Sequence, residues 1–169
     1  FAAGVDIVQL DEPYLQDKAD EARSFAIDAI NRAVKGVGGL TALHICFGYA
    51  YVHKGAAKPG GYAFLEELEA SDVDIISIEA AQPNLDPSIL RELPTKHIMY
   101  GVIDLNDPGV ETAETVAARI RKALPFIDAE RLIIAPDCGM KYQSREVAFG
   151  KLKAMADGAA IVRRELTGR

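Results

Sequence analysis

Five short apolar runs, 5–10, 40–46, 72–79, 97–104 and 131–136, are rich in Ile, Val and Leu and barely alternate with polar positions. Such continuity suits strands buried on both faces, the habit of parallel sheets. Between the runs the period lengthens. Ala22, Phe25, Ala26, Ala29, Ile30 and Ala33 follow the i, i+3, i+4, i+7 spacing of a helix with one buried face, as do Ala113, Val116, Ala117, Ile120 and Leu124. Ala148, Leu152, Met155, Ala156 and Ala159 repeat the pattern behind Ser144, a suitable N-cap. Shorter helical stretches cover 61–70 and the residues after Asp86-Pro87, where proline suits a first turn. Strand and helix therefore alternate five times, with a strand end roughly every 25 to 36 residues. A closed eight-stranded α/β barrel of ~250 residues has ~31 per unit, and a doubly wound open sheet has a similar repeat, so spacing alone leaves both open. The widest loop, 48–60, is glycine-rich and aromatic.

Composition narrows the function classes. The chain has 169 residues, enough for one buried core, and a net charge of −6. With a pI near 5.1 and no dense basic cluster, nucleic-acid binding is not expected. No apolar run approaches the ~20 residues of a membrane span. Two distant cysteines do not make a disulfide framework, and a reducing cytoplasm is the expected compartment. The chain opens Phe1-Ala2-Ala3-Gly4 with no methionine and runs straight into a strand pattern, which reads as a cut made inside a larger protein.

Active sites of parallel α/β folds form at the carboxyl ends of the strands. The expected strands end in Asp11-Glu12-Pro13, His44-Ile45-Cys46, Glu79, Asp104-Leu105-Asn106 and Pro136-Asp137-Cys138-Gly139. Five successive strands each deliver a ligand or an acid to one rim. His44, Cys46, Glu79 and Cys138 offer one imidazole, two thiolates and a carboxylate, a set whose softness favours zinc over magnesium or calcium. Residues i and i+2 of a strand point the same way, so His44 and Cys46 can share an ion, and Glu79 on the neighbouring strand is within reach. Cys138 joins them only if the sheet curves back, so a metal site favours the barrel. Taken singly, each residue has a plainer reading: packing for His44 and Cys46, a structural thiol for Cys138, a surface charge for Glu79. A Cys46–Cys138 disulfide suits the compartment poorly, and a Cys-His nucleophile pair suits two side chains standing side by side poorly. Asp11 and Glu12 fit either substrate binding or the positive end of a following helix. His53, in a loop beside Lys54, and His97, at the far end of its strand, are not expected to be ligands.

The five motifs together resemble the catalytic domain of the cobalamin-independent methionine synthase family. That family carries Asp-Glu-Pro, His-x-Cys, Ile-x-Ile-Glu, Gly-Val-x-Asp and Pro-Asp-Cys-Gly. Here they stand in order as Asp11-Glu12-Pro13, His44-Ile45-Cys46, Ile76-Ser77-Ile78-Glu79, Gly101-Val102-Ile103-Asp104 and Pro136-Asp137-Cys138-Gly139. The resemblance implies a (β/α)8 TIM barrel of which residues 1–169 are the carboxyl-terminal part, covering about the last five βα units. It implies zinc held by His44, Cys46, Glu79 and Cys138, and Asp11 binding the amino group of homocysteine, with Glu12 beside it. It implies methyl transfer to that thiol from methyltetrahydrofolate or another carrier, with the first three strands, and their donor contacts, supplied by a missing amino-terminal half or a second chain.

The chain also departs from the family. Asn106 stands where methionine synthases usually carry a histidine proposed as a general acid, and an amide delivers no proton near neutral pH. Met140-Lys141-Tyr142 replaces a frequent Leu-Lys-Thr, and the Phe47-Gly48-Tyr49 stretch also differs. These changes point to a short-form branch whose donor could be a methylcobamide. Related zinc thiol alkyltransferases, including the epoxide-opening coenzyme M type, share His-x-Cys…Cys and stay as alternatives, as does a structural zinc in a binding module.

Overall fold

A computed structural model describes residues 1–48 and 58–168. Five parallel strands form one sheet in chain order: β1 (Ile7–Glu12), β2 (Leu40–Ile45), β3 (Ile75–Ile78), β4 (His97–Gly101) and β5 (Leu132–Ala135). The helices among the described residues are α1 (Ala19–Ala22), α2 (Ala26–Val34), α3 (Ala113–Ala123) and α4 (Arg145–Thr167), with 3-10 turns at Glu66–Ala70, Pro87–Glu92 and Ala129–Arg131. The expected α/β class and all five strands are present. β1 extends two residues past its expected end, which puts Asp11 and Glu12 inside the strand. His53 and most of the 48–60 loop lie outside the described residues.

The core sits on the helix side of the sheet. Leu43 and Ile45, Ile76 and Ile78, and Ile98 and Tyr100 point there and meet Ile30, Leu68, Leu90, Val116, Ile120 and Val162. The opposite face carries Ala42, His44, Ile75, Ser77 and Met99, and the candidate ligands rise from that side. β3 is buried throughout and β2 from Thr41 onward, as their continuous apolar runs require, whereas edge strand β1 is largely exposed.

The helices differ from their expected faces in instructive ways. The stretch 22–33 is not one helix. Ser24 Oγ donates to the Glu21 carbonyl (3.1 Å), Phe25 takes φ −147°, and the chain breaks between α1 and α2. Phe25 is consequently exposed, and the buried stripe is Ala22, Ala26, Ile30 and Val34. The 61–70 stretch is helical only at Glu66–Ala70, in 3-10 form. On α4, Ser144 caps as expected by accepting from Val147 N (3.3 Å), but the buried stripe is Lys151, Ala154, Gly158 and Val162, leaving Leu152 exposed.

Two contacts set that rotation. A Cβ on Gly158 would lie 2.6 Å from Val116 Cβ, so only glycine lets α3 and α4 approach this closely. Lys151 is fully buried. Its Nζ donates to the Asp104 carbonyl and to Glu111 Oε2, both at 2.9 Å. Glu111 Oε1 accepts from Asp104 N (2.8 Å) and Arg119 Nη1 (3.2 Å). Burial opposes the charge on Glu111, but the Lys151 ammonium and the amide donors win and hold its carboxyl below the ordinary value. This cluster pins the turn that follows β4.

Candidate metal centre

His44 and Cys46 leave β2 on one side, Glu79 follows β3, and Cys138 follows β5. In a flat sheet the ends of β2 and β5 would stand three strand spacings, ~14 Å, apart. The two sulfurs are instead 3.7 Å apart, because the sheet curves and the chain after β5 folds back across β4. One ligand atom from each of the four residues lies within 4.8 Å of the other three. Two sulfurs bound at ~2.3 Å to one tetrahedral ion are ~3.8 Å apart, whereas a disulfide needs ~2.05 Å. The observed spacing fits an ion between two free thiols. A cavity of about 20 Å³ bordered by Cys46, Glu79 and Cys138 gives room for one water-sized body.

The neighbours prepare these donors. His44 Nδ1 lies 2.9 Å from Ser77 Oγ, its partner in the β2–β3 register, which leaves Nε2 as the nitrogen that could take a ligand. Among the described residues that buried Nε2 has no hydrogen-bond partner, the mark of a ring nitrogen reserved for a ligand. Burial works against a charged His44 ring, but the Cys138 sulfur and the Glu79 and Asp11 carboxylates together raise its pKa. The two thiols shift each other in opposite directions. Cys138 is driven down to about 4 by its contacts with Cys46 and His44, and Cys46 is driven up by Cys138 and by burial. Gly48 N also donates to Cys46 Sγ (3.2 Å).

Glu79 is wholly buried. Its Oε1 accepts from Phe47 N (3.1 Å), and its Oε2 pairs with the ammonium of Lys58, itself buried to 2% exposure. Tyr62 OH accepts from Glu79 N (2.8 Å) and donates to the Ile45 carbonyl (3.2 Å), tying the ends of β2 and β3; burial raises its pKa. Asp137 is also fully buried and accepts three backbone amide bonds. Burial raises its carboxyl to about 6 against the pull of those donors.

The remaining expected residues are not all gathered here. Asp11 stands opposite His44 in the β1–β2 register, exposed, with one oxygen accepting from Gln9 Nε2 (2.8 Å). Glu12 turns away from the cluster to accept from Tyr14 N (2.8 Å) and Leu15 N (2.5 Å), holding the turn after β1. Asn106 is exposed beyond β4, its backbone N donating to Asp104 Oδ1 (2.8 Å). His97 opens β4 at the far end of the sheet, as expected. Sequence reasoning missed Lys58, Tyr62, Ser77 and Asp137. Ser77 could have been found from the register beside His44 and Asp137 from its motif, but Lys58 left no signal.

A family model described as "Cobalamin-independent synthase, Catalytic domain" matches residues 2–161. The methionine synthase of Thermococcus kodakarensis is 39% identical over 164 residues, covering 96% of this chain and 45% of its own. That of Saccharolobus islandicus is 38% identical over 167 residues, with 97% and 46% covered. The solved B12-independent methionine synthase from Shewanella sp. W3-18-1, in complex with selenomethionine, superposes with a TM-score of 0.90 at 38% identity, over 99% of this chain and 51% of that one. The chain thus spans about half the length of the relatives it matches. With that coverage, and with the ligand-bearing motifs brought to one rim of a curved parallel sheet, the chain belongs to the catalytic-domain family of the cobalamin-independent synthases.

Proposed function

We propose that the protein is a zinc-dependent methyltransferase acting on a thiol, with homocysteine as acceptor and methionine as product. The observation that carries this reading is the convergence of two thiol sulfurs, an unpartnered imidazole nitrogen and a buried carboxylate at the strand ends. That soft donor set suits zinc. Residues 1–169 are assigned to one barrel-type catalytic domain, and the cytoplasm is the assigned compartment, where free thiols persist. No helix among the described residues is long and apolar enough to cross a membrane. Selenomethionine, the molecule bound by the Shewanella relative, differs from the proposed product by one chalcogen atom, which supports the assignment.

His44, Cys46, Glu79 and Cys138 would hold the ion. When bound, zinc supplies the Lewis acidity that keeps an acceptor thiol ionised near neutral pH. In the transfer an S–CH3 bond forms, the bond between methyl and carrier breaks, and the carrier keeps the electron pair. Asp11, exposed on the rim beside His44, is assigned to the substrate ammonium, with Glu12 holding the turn behind it. Asn106 has no titratable proton, so protonation of the leaving carrier is not assigned to it. The donor, a methylated folate or another carrier, is assigned to contacts beyond these five βα units.

X-ray absorption at the zinc edge tests the reading. Stoichiometric zinc with two sulfur ligands is expected, rising to three sulfurs when homocysteine is added. An inert four-ligand shell would instead mean a structural metal. A separate expectation concerns Asp11→Asn. Losing a charge-assisted contact costs ~1.5–3 kcal/mol, so KM for homocysteine should rise about 10- to 100-fold with a smaller change in kcat. An unchanged KM would remove Asp11 from the substrate site.

A further inference from the structure

Glu79 and Cys138 belong to strands separated by β4, so something must carry the chain after β5 over β4 and hold it there. The contacts around Asp137 and Gly101 do this. The β4–β5 ladder continues past the strands, with Val102 N donating to the Ala135 carbonyl (2.9 Å) and Asp137 N to the Ile103 carbonyl (3.3 Å). The Asp137 side chain then reaches across β4. Oδ1 accepts from Ala80 N (3.1 Å) and Ala81 N (3.0 Å), and Oδ2 accepts from Gln82 N (2.7 Å). These donors begin one residue after Glu79, and the acceptor sits one residue before Cys138. One carboxylate therefore fixes the separation of two ligands from non-adjacent strands.

Gly101 lies directly beneath the crossing. A Cβ there would overlap Asp137 Oδ1 and would lie 2.9 Å from Asp137 Cα and 3.0 Å from the Ile78 carbonyl oxygen. Two of those three atoms are backbone and cannot swing aside. The glycine is required by this close approach and not by its own torsions, since it is absent from the positive-φ residues.

We infer that Asp137 and Gly101 are positioning residues for Cys138: the missing side chain of Gly101 lets the chain cross β4, and the Asp137 carboxylate locks it onto the 80–82 turn. The inference rests on the proposed metal site. Asparagine at 137 is nearly isosteric, but it replaces one accepting oxygen with an NH2 group that faces an N–H donor. At least one of the three bonds is lost, and Cys138 is released from its place beside Cys46.

Cobalt(II) titration of the protein tests this, with sulfur-to-cobalt charge-transfer absorbance per bound ion as the count of thiolate ligands and circular dichroism as the check on the fold. The wild type should show two thiolates. Asp137→Asn should retain the sheet and helices but give about half the absorbance, matching Cys138→Ser, with cobalt affinity about 10- to 100-fold weaker, the range typical for outer-shell changes. Gly101→Ala should do the same. Leu90→Ala, a core truncation away from the crossing, should lower the melting temperature without changing the thiolate count. Full two-thiolate absorbance in Asp137→Asn and Gly101→Ala would overturn the inference and leave the metal site standing. Global unfolding of both variants would also overturn it, by showing a general folding role. A wild type with no thiolate absorbance would instead remove the metal site itself.

Discussion

Cys138→Ser is expected to leave the folded sheet in place and to remove bound metal and methyl transfer together. Cys138 lies beyond β5, half-buried, and supplies none of the strand-to-strand bonds, so circular dichroism should not change. Its thiol is held below the ordinary value by its contacts with Cys46 and His44, and a serine hydroxyl does not ionise near neutral pH. Outer-shell changes cost metal sites ~10- to 100-fold in affinity, so loss of an anionic ligand should cost more than about a hundredfold. Cys46→Ser should behave alike, because the two sulfurs stand 3.7 Å apart in the one candidate cluster. Zinc content after dialysis and turnover with homocysteine are the measurements. A Cys138→Ser protein that kept one zinc per chain and full turnover would end the functional reading.

Glu79→Ala should be the most damaging single change to stability. Glu79 is wholly buried and Lys58 nearly so, with the Lys58 ammonium 5.7 Å from the centroid of the Phe47 ring. Removing the carboxylate strands a cation in that setting, at a cost of ~3–5 kcal/mol. For a chain of this size that is a fall of ~6–20 °C in melting temperature. The pair also bears on metal chemistry. Lys58 pairs with an oxygen that Glu79 would otherwise offer an ion, so under the proposed metal site Glu79 would be the ligand suited to yield to an incoming thiol. Lys58→Met alone should therefore tighten zinc binding. Added to Glu79→Ala, it should restore most of the melting temperature while zinc affinity stays low. A double variant as unstable as Glu79→Ala would show that the loss is a packing defect and not a stranded charge.

Much of this site was legible before any coordinates, for definable reasons. A parallel sheet delivers its strand ends to one rim, so polar residues closing apolar runs at 44, 46, 79 and 138 mark candidate ligands independently of the exact strand boundaries. The resemblance to the synthase family added the roles, and the 3.7 Å sulfur spacing agrees with the curvature that a shared ion demands. What stayed hidden depends on packing across distant segments. Lys58 has no periodicity and becomes part of the site only by burying its charge against Glu79. On α4, counting apolar residues selects Leu152 and Ala156, yet a lysine and a glycine face the core, because Lys151 has buried oxygen partners and Gly158 must clear Val116. The break at Ser24 likewise follows from one side-chain bond that a hydrophobic pattern does not register.

The single-file order of the sheet, each strand beside its predecessor, also bears on biosynthesis. As the polypeptide leaves the ribosome, each new βα unit has its docking neighbour already made. His44, Cys46 and Glu79 are made before Cys138, which follows β5, the fifth of the described strands. Under the proposed metal site, a product terminated before β5 would lack the second thiol, so the four donors come together only once β5 has joined the sheet.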